Sequence, residues 1–235
     1  MNKKFQVICA DPPYSFADKL QQSDVKRGAA ANYKTMTIAD IKAMKVKEIA
    51  DPNGAILALW VPSSLLQEGL DTMKAWGFKH KQTYIWVKTK KEPFSDFRSW
   101  ITKSISKHPQ ILYDKFAYFR AIDAIKASLR NIDLHDILAF GMGRLFRQTH
   151  EICLIGTNNN GIYTLLKNKS QRSISFGENL KHSAKPEHLQ DSLEVMFPNV
   201  NYIELFARRT RAGWTCLGNE VCNGEDINDS LKKLL

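Results

Sequence analysis

Short apolar runs alternate with amphipathic stretches along the first 88 residues. Three runs have the length and composition of strands: Phe5–Ala10, Ala55–Trp60 and Gln82–Val87. The stretches between them predict helices, one from Thr37 to about Ala50 and one from Ser64 to Gly77, because each starts with capping-box spacing. Strands that alternate with helices are typical of a parallel sheet covered on both faces. The pattern therefore predicts an α/β, doubly wound fold.

The same alternation returns near the end of the chain. Glu151–Gly156 and Tyr202–Ala207 predict strands, and a helix is expected to begin near Pro186, since proline suits a first helical turn. Trp214–Leu217 predicts one further strand, and the tail after Asn223 is expected to be loose or a short helix. At this length we expect one domain over residues 1–235.

Residues 89–140 interrupt the alternation with aromatic and basic side chains. From Lys88 to Arg147 there are twelve Lys or Arg against six Asp or Glu, and from Leu165 to Lys185 there are five against one. We interpret 89–140 as an insertion in a crossover connection, in which Asp114–Arg130 can form a helix. Within a net charge of +10, such clustering favours a polyanionic partner, DNA or RNA, although a solubilising surface explains the charge about as well.

Composition narrows the class of protein. No apolar run approaches the length that crosses a bilayer, and the first residues lack the apolar core of a secretory signal. The four cysteines form no CxxC pair and the six histidines are scattered, which favours buried reduced thiols over a disulfide framework or a zinc site. We therefore expect a cytoplasmic protein with no membrane attachment and no bound metal.

The first predicted strand ends in Asp11-Pro12-Pro13-Tyr14. Two prolines cannot continue a ladder, so they predict a stiff turn at the carboxyl end of a strand, where open α/β sheets bind ligands. The Asp11 carboxylate and the Pro12 carbonyl offer an exocyclic amine two hydrogen-bond acceptors, which favour positive charge developing on its nitrogen. Tyr14 offers a flat face on which a base can stack. By itself, the tetrapeptide also suits an ordinary strand-ending turn.

Further landmarks follow in a fixed order. They are Tyr33-Lys34-Thr35-Met36, Leu59-Trp60-Val61, Trp76-Gly77-Phe78, Trp86-Val87-Lys88, His150-Glu151, Ser183-Ala184-Lys185-Pro186, Glu204-Leu205-Phe206-Ala207-Arg208, Gly213-Trp214 and Gly218-Asn219-Glu220. With the Asp-Pro-Pro-Tyr segment, they resemble the N6-adenine methyltransferase family that includes the catalytic subunit of the eukaryotic mRNA adenosine methyltransferase. The resemblance implies a Rossmann-like methyltransferase sheet with permuted motif order, in which the catalytic segment precedes the cofactor strand.

The resemblance also assigns expected roles. The catalytic residues would be Asp11, Pro12, Pro13 and Tyr14. The residues holding S-adenosylmethionine would be Asp11, Lys185, Phe206, Arg208, Thr210, Arg211, Asn219 and Glu220. Lys185 would pair with the methionine carboxylate of the cofactor. The nucleic acid would be contacted by Tyr33, Trp60, Lys88, Arg144 and Arg147. The expected reaction is methyl transfer to the N6 amine of adenine in DNA.

Three alternatives stay open at this point. The same reaction on RNA is one, although the small size and Tyr14, where the eukaryotic enzymes have Trp, favour DNA. The second is an inactive scaffold subunit that binds nucleic acid, and the intact Asp-Pro-Pro motif argues against it. The third is cytosine N4 methylation, whose enzymes usually carry Ser in place of Asp11. A monomer and a homodimer both fit the sequence.

Overall fold

The computed structural model describes residues 3–15, 35–92, 134–141, 145–179, 184–221 and 225–235, with isolated positions between 99 and 123. The chain divides into two compact units. The first comprises Met1–Trp86, Glu151–Ser175 and Leu180–Leu235, and the second comprises Val87–His150 and Phe176–Asn179. Seven of the seventeen residues of the predicted helix at Asp114–Arg130 are described, and all seven are helical. The polar stretch from Ser15 to Ala31 lies outside the described residues, apart from Ser15.

The described strands form one seven-stranded sheet in the order β5-β3-β4-β2-β1-β6-β7. They are β1 Val7–Ala10, β2 Ile56–Val61, β3 Lys79–Thr89, β4 His150–Thr157, β5 Ile174–Glu178, β6 Tyr202–Leu205 and β7 Trp214–Leu217. Strand β1 runs parallel to β2 and β6, β6 runs parallel to β7, and β4 runs antiparallel to β2. The predicted α/β class, with a mostly parallel sheet, is confirmed.

Helices cover both faces of this sheet. They are α1 Ile38–Ala43, α2 Val46–Ile49, α3 Leu66–Ala75, α4 Ile162–Leu165, α5 His188–Met196 and α6 Ile227–Lys232. Side chains alternate along β1, so Ile8 packs in one buried cluster with α1, α2, α3 and α6. Val7 and Cys9 pack in a second cluster with α4 and α5. The alternation of a strand buried on both faces produces these two cores.

Two helix predictions need correction. Thr37 does cap α1, with Oγ1 accepting the Asp40 N–H at 3.1 Å, but the helix ends at Ala43 and a second begins at Val46. The break occurs at Met44, whose backbone is extended, and it leaves both Ile41 and Val46 fully buried. The predicted capping box at Ser64 was wrong, because Ser63–Leu65 is a 3-10 turn and α3 has no side-chain cap.

Three of the four cysteines lie among the described residues. None of the three forms a disulfide with another described residue; Cys9 and Cys153 are buried, and Cys216 is half-buried. Burial raises the pKa of the Cys9 and Cys153 thiols well above their usual value, so both are neutral. In the described part of the chain, no cluster of three metal-binding side chains occurs, and no helix has the length and apolar character to cross a membrane.

Candidate active site

At the carboxyl ends of β1 and β6, two segments that are far apart in the sequence lie side by side. The two strands are parallel neighbours, with Ala10 opposite Leu205. One residue further on, the Asp11 N–H donates to the Leu205 carbonyl at 3.4 Å. Asp11 and Phe206 therefore directly follow paired positions at one sheet edge. In open α/β sheets this edge is where ligands bind.

The Asp-Pro-Pro-Tyr turn is fastened by its own backbone and by one neighbouring residue. The Tyr14 N–H donates to the Pro12 carbonyl at 2.9 Å, across Pro13. The Met36 N–H donates to the Pro13 carbonyl at 2.8 Å, and the Ser15 N–H donates back to Met36 at 3.0 Å. The two prolines have no backbone N–H, so their backbones can only accept hydrogen bonds, through the carbonyl oxygens. A carbonyl has two lone pairs, so Pro12 retains capacity for a second donor.

Tyr14 is too buried for a base to stack on its ring in this conformation. Its side chain is 3% exposed and packs in the core cluster that covers one face of the sheet. Its hydroxyl has no hydrogen-bond partner among the described residues, and burial raises its pKa well above the usual range. Stacking of a base on Tyr14 stays a prediction, and it requires the ring to become accessible.

Lys185 connects Asp11 to a third residue, Glu151. The Lys185 Nζ lies 2.8 Å from Asp11 Oδ2 and 3.2 Å from Glu151 Oε2. The lysine side chain is 13% exposed, whereas the two acidic side chains are 31% and 22% exposed. The cluster therefore places one cation between two acidic groups that still reach solvent.

The electrostatics of this cluster keep Lys185 charged. Burial by itself lowers the pKa of the lysine, but the charges of Asp11 and Glu151 and their hydrogen bonds outweigh it and raise the pKa above its usual range. The Nζ also lies 5.6 Å from the ring centroid of Trp60, whose face attracts a cation. Trp60 is 3% exposed and lies in β2, so this structure places it behind the lysine rather than on an open surface.

The backbone after β6 takes an unusual conformation. Phe206 has φ +63°, in the left-handed region that residues other than glycine rarely adopt. The next residue packs against Gly218, where a Cβ would lie 2.2 Å from the Ala207 carbonyl oxygen. Only glycine allows the ends of β6 and β7 to approach so closely. This contact places Arg208 beside Glu220, with its Nε 2.8 Å from Glu220 Oε1.

The other predicted cofactor residues are placed differently. Thr210 and Asn219 are exposed. The Arg211 side chain is 14% exposed and pairs with Glu187, Asp191 and Glu194 on or next to α5, at 2.7, 2.6 and 2.7 Å. These charge-assisted bonds raise the pKa of Arg211 and lower that of Glu194. A cofactor role for Arg211 stays a prediction, since its described contacts are to the helix.

The predicted nucleic-acid residues are scattered through the chain. Lys88 and Arg147 belong to the second unit. Lys88 lies in β3, where its N–H donates to Thr149 and its carbonyl accepts from Ala139, and Arg147 is exposed. Tyr33 and Arg144 lie outside the described residues.

Glu151 is the site residue that sequence reasoning missed. The His150-Glu151 pair served only as a landmark in the resemblance, with no role attached to either side chain. The sequence signal that could have found it is a carboxylate at the start of a predicted strand. That strand, β4, is a neighbour of β2, and β2 ends in Trp60 and Val61. Because β4 is antiparallel to β2, the amino end of β4 lies at the carboxyl edge of the sheet. An antiparallel strand was not predicted, so Glu151 was not placed there.

Known proteins match this chain over most of its length. A family model described as MT-A70 matches residues 5–110 and 98–220. The chain belongs to the MT-A70 family. The predicted resemblance is thereby confirmed, and MT-A70 proteins supply the relatives with which this site can be compared.

Similar MT-A70 relatives come from plants and animals. The N(6)-adenosine-methyltransferase MT-A70-like protein of Arabidopsis thaliana is 23% identical over 231 residues, which cover 97% of this chain and 25% of the relative. The catalytic subunit METTL3 of Homo sapiens is 22% identical over 223 residues, covering 93% of this chain and 28% of that protein. The chain therefore spans only about a quarter of the length of these relatives.

A compact bacterial protein matches over more of its own length. The type II methyltransferase M.MunI of a Mycoplasma species is 23% identical over 234 residues, covering 93% of this chain and 78% of that enzyme. Of these three relatives, M.MunI is thus the one whose length corresponds best to that of this chain.

Proposed function

We propose that this chain is an S-adenosylmethionine-dependent methyltransferase that modifies the N6 amine of adenine in DNA. The observation that carries the proposal is the Asp11 carboxylate at the end of β1, held by Lys185 beside the end of β6. Strands β1 and β6 carry the two motifs that the MT-A70 resemblance assigns to catalysis and to the cofactor. Because β1 and β6 are neighbours, the catalytic motif and the cofactor motif lie at the same sheet edge.

The chemistry of the donor set fits S-adenosylmethionine. Lys185 supplies a cation for a carboxylate, and its raised pKa keeps it charged at physiological pH. Arg208, Asn219 and Glu220 supply donors and acceptors suited to ribose hydroxyls, at the close junction of β6 and β7. The bound cofactor supplies a methyl group activated by its sulfonium. The left-handed turn at Phe206 is the kind of strained backbone that occurs at ligand sites.

Asp11 and Pro12 act on the adenine amine in this proposal. The adenine amine is a weak nucleophile because its lone pair is conjugated with the ring. Acceptors on its two hydrogens favour the pyramidal nitrogen and the positive charge that develops as the methyl group arrives. The ion pair with Lys185 fixes the Asp11 carboxylate, so that little reorganisation is needed at the moment of reaction.

The second unit is proposed to hold the nucleic acid. Lys88, Arg144 and Arg147 are the proposed contacts, within a segment of twelve basic and six acidic residues. Among its described residues, large apolar side chains are exposed, including Phe116, which is 76% exposed, and Phe146, which is 87% exposed. Exposed aromatic rings beside cations suit stacked bases and phosphates.

DNA is preferred over RNA in this proposal. The match covers 78% of the length of M.MunI, a type II methyltransferase, but only 28% of METTL3. Tyr14 is also shared with bacterial amino-methyltransferases, whereas the eukaryotic enzymes have Trp at this position. Both observations favour the compact bacterial enzymes as the better guide to substrate.

Methylation of matched DNA and RNA oligonucleotides tests the proposal. The protein is incubated with isotope-labelled S-adenosylmethionine, and the nucleosides are identified by mass spectrometry. We expect N6-methyldeoxyadenosine from DNA, and no product with Asp11→Ala. Methyl transfer only to RNA would overturn the choice of substrate. Methylcytosine would overturn the choice of base, and nucleic-acid binding without any methyl transfer would favour a scaffold subunit.

A further inference from the structure

Glu187 joins two arginines that follow strand β6. Its Oε1 lies 2.6 Å from the Nε of Arg209, and its Oε2 lies 2.7 Å from the Nη1 of Arg211. Glu187 directly precedes α5 and is two residues beyond Lys185. One carboxylate thus connects the lysine segment to the loop that follows the proposed cofactor strand. Neither Glu187 nor Arg209 has a role in the proposed function.

Arg209 also contacts the lysine segment itself. Its Nη2 donates to the backbone carbonyl of Lys185 at 3.2 Å. The backbone of Lys185 is therefore held from the loop, while its ammonium reaches Asp11 and Glu151. The lysine side chain has four rotatable bonds and is flexible by itself. Movement of its backbone would add to this freedom, so a held backbone helps to define the position of the ammonium.

Arg211 anchors the same loop to the helix. Besides Glu187, it pairs with Asp191 and Glu194, and the Trp214 indole N–H donates to Glu194 at 2.6 Å. The Trp214 ring in turn stacks on Tyr202, with ring centroids 5.0 Å apart. The loop thus has a firm attachment to α5, β6 and β7 that does not involve Lys185.

We propose that Glu187 is a positioning residue that couples the two ends of the cofactor site. Phe206 and Arg208 lie in the loop proposed to hold the nucleoside, and Lys185 lies in the segment proposed to hold the methionine carboxylate. Glu187 ties these two parts together through Arg209 and Arg211. The inference rests on the proposed cofactor, and it assigns no contact between Glu187 and that cofactor.

The exposure of the contacts indicates where the effect of Glu187 will be seen. Arg209 is 50% exposed and Glu187 is 41% exposed. Ion pairs this exposed contribute little to stability, because water competes for both charges. Arg211 keeps Asp191 and Glu194 when Glu187 is neutralised. Loss of the Glu187 charge should therefore leave the fold intact and act through the position of Lys185.

Two ligands distinguish positioning from a general structural role. S-adenosylmethionine carries the methionine carboxylate, whereas 5′-methylthioadenosine has the nucleoside and thioether without the amino acid. We expect Glu187→Gln to weaken the binding of S-adenosylmethionine about fivefold or more, as measured by calorimetry. A change of about fivefold is the lower end of typical couplings between sites. Binding of 5′-methylthioadenosine should stay unchanged. Arg209→Gln should show the same selective loss.

Asp191→Asn is the matched control. Asp191 pairs with Arg211 at 2.6 Å and Glu187 does so at 2.7 Å, but Glu187 also pairs with Arg209. This variant should therefore bind both ligands like the wild type. Equal weakening of both ligands by Glu187→Gln, or no weakening of either, would overturn the coupling. Selective loss in Asp191→Asn as well would also overturn it, because the effect would then belong to the acidic cluster.

The failure of the proposed function gives a separate result. If the wild-type protein binds neither ligand, the cofactor assignment is wrong and the coupling falls with it. If the wild type binds both ligands and Glu187→Gln shows no selective loss, only the coupling is wrong. Circular dichroism and a thermal melt of each variant verify that the comparison is made on folded protein.

Discussion

The Nζ of Lys185 lies 2.8 Å from the Oδ2 of Asp11, although 174 positions separate the two residues in the chain. This contact joins the segment before α5 to the turn after β1 that is proposed to be catalytic. Because Glu151 approaches the same ammonium at 3.2 Å, the lysine orients two carboxylates at once. Loss of the lysine and loss of Asp11 should therefore have different consequences.

Asp11→Ala should abolish methyl transfer and weaken cofactor binding only slightly, because S-adenosylmethionine is proposed to be held mainly by Lys185 and by residues after β6. The carboxylate is proposed to act on the amine, and loss of a single acceptor matched to a transition state costs roughly a hundredfold or more in rate. The measurement is single-turnover methylation of an adenine-containing oligonucleotide at saturating cofactor. A near wild-type rate would remove Asp11 from the chemistry and favour the scaffold interpretation.

Lys185→Ala should weaken the binding of S-adenosylmethionine by about 1–3 kcal/mol, the range for a lost charged hydrogen bond. The change also leaves Asp11 and Glu151 without the cation that they share. Calorimetry on the folded variant measures the affinity. Asn219→Ala, which removes only neutral hydrogen bonds from an exposed residue, is the comparison and should cost less. Equal affinity of Lys185→Ala and the wild type would exclude the lysine from the site.

The charge of Lys185 should also affect stability at alkaline pH. Its pKa is raised in the folded protein, so its stabilising contribution is fully present below the unfolded value of about 10.4 and is lost as pH rises through the folded value. We expect the stability difference between wild type and Lys185→Met to be flat from pH 7 to about 10 and to shrink above it. Urea unfolding at several pH values provides the measurement. A difference that shrinks between pH 7 and about 9 would contradict this assignment.

Tyr14→Phe should be neutral or stabilising, by up to about 1 kcal/mol, because the hydroxyl is buried without a partner among the described residues. Denaturant unfolding of the two proteins measures the difference. Methylation should persist, since the ring is retained. A loss of more than about 1 kcal/mol would show that the hydroxyl has a partner outside the described residues.

Charge reversal in the second unit should weaken DNA binding in a salt-dependent way. Replacement of Lys88, Arg144 and Arg147 by Glu should reduce the slope of log affinity against log salt by about one for each lost phosphate contact. A single reversal at Lys232, which is 69% exposed in α6 of the first unit, is the control for net charge. If Arg147→Glu and Lys232→Glu have the same effect, the second unit does not contact DNA through Arg147.

The sequence predicted the fold better than the placement of side chains. Apolar runs identified six of the seven described strands, because a buried strand has a recognisable length and composition. Strand β5, Ile174–Glu178, was missed because its side chains alternate between exposed and half-buried and its segment reads as basic. Periodicity also could not show that β4 is antiparallel, and this direction is what brings Glu151 to the site.

For Arg211 the cofactor role stays a prediction, and the resemblance could not show which way its side chain points. Its position in the C-terminal motif predicted a cofactor contact, but the direction of a long side chain depends on its neighbours in the fold. Glu187, Asp191 and Glu194 follow helical spacing and offer acidic groups on one face, and the guanidinium pairs with all three. The acidic stripe was visible in the sequence. That it faces Arg211 became clear only once β6, β7 and α5 were placed.

The position of β1 in the sheet has a consequence for synthesis of the protein. This strand precedes the other described strands in the chain, yet it lies between β2 and β6, and Gln6 contacts Asn201 across 195 positions. While the ribosome is still making the middle of the chain, one edge of a wholly buried strand has no neighbour. Until β6 is made, such an edge is open to pairing with other nascent chains. It also means that no incomplete nascent chain lacking β6 can carry out the proposed reaction.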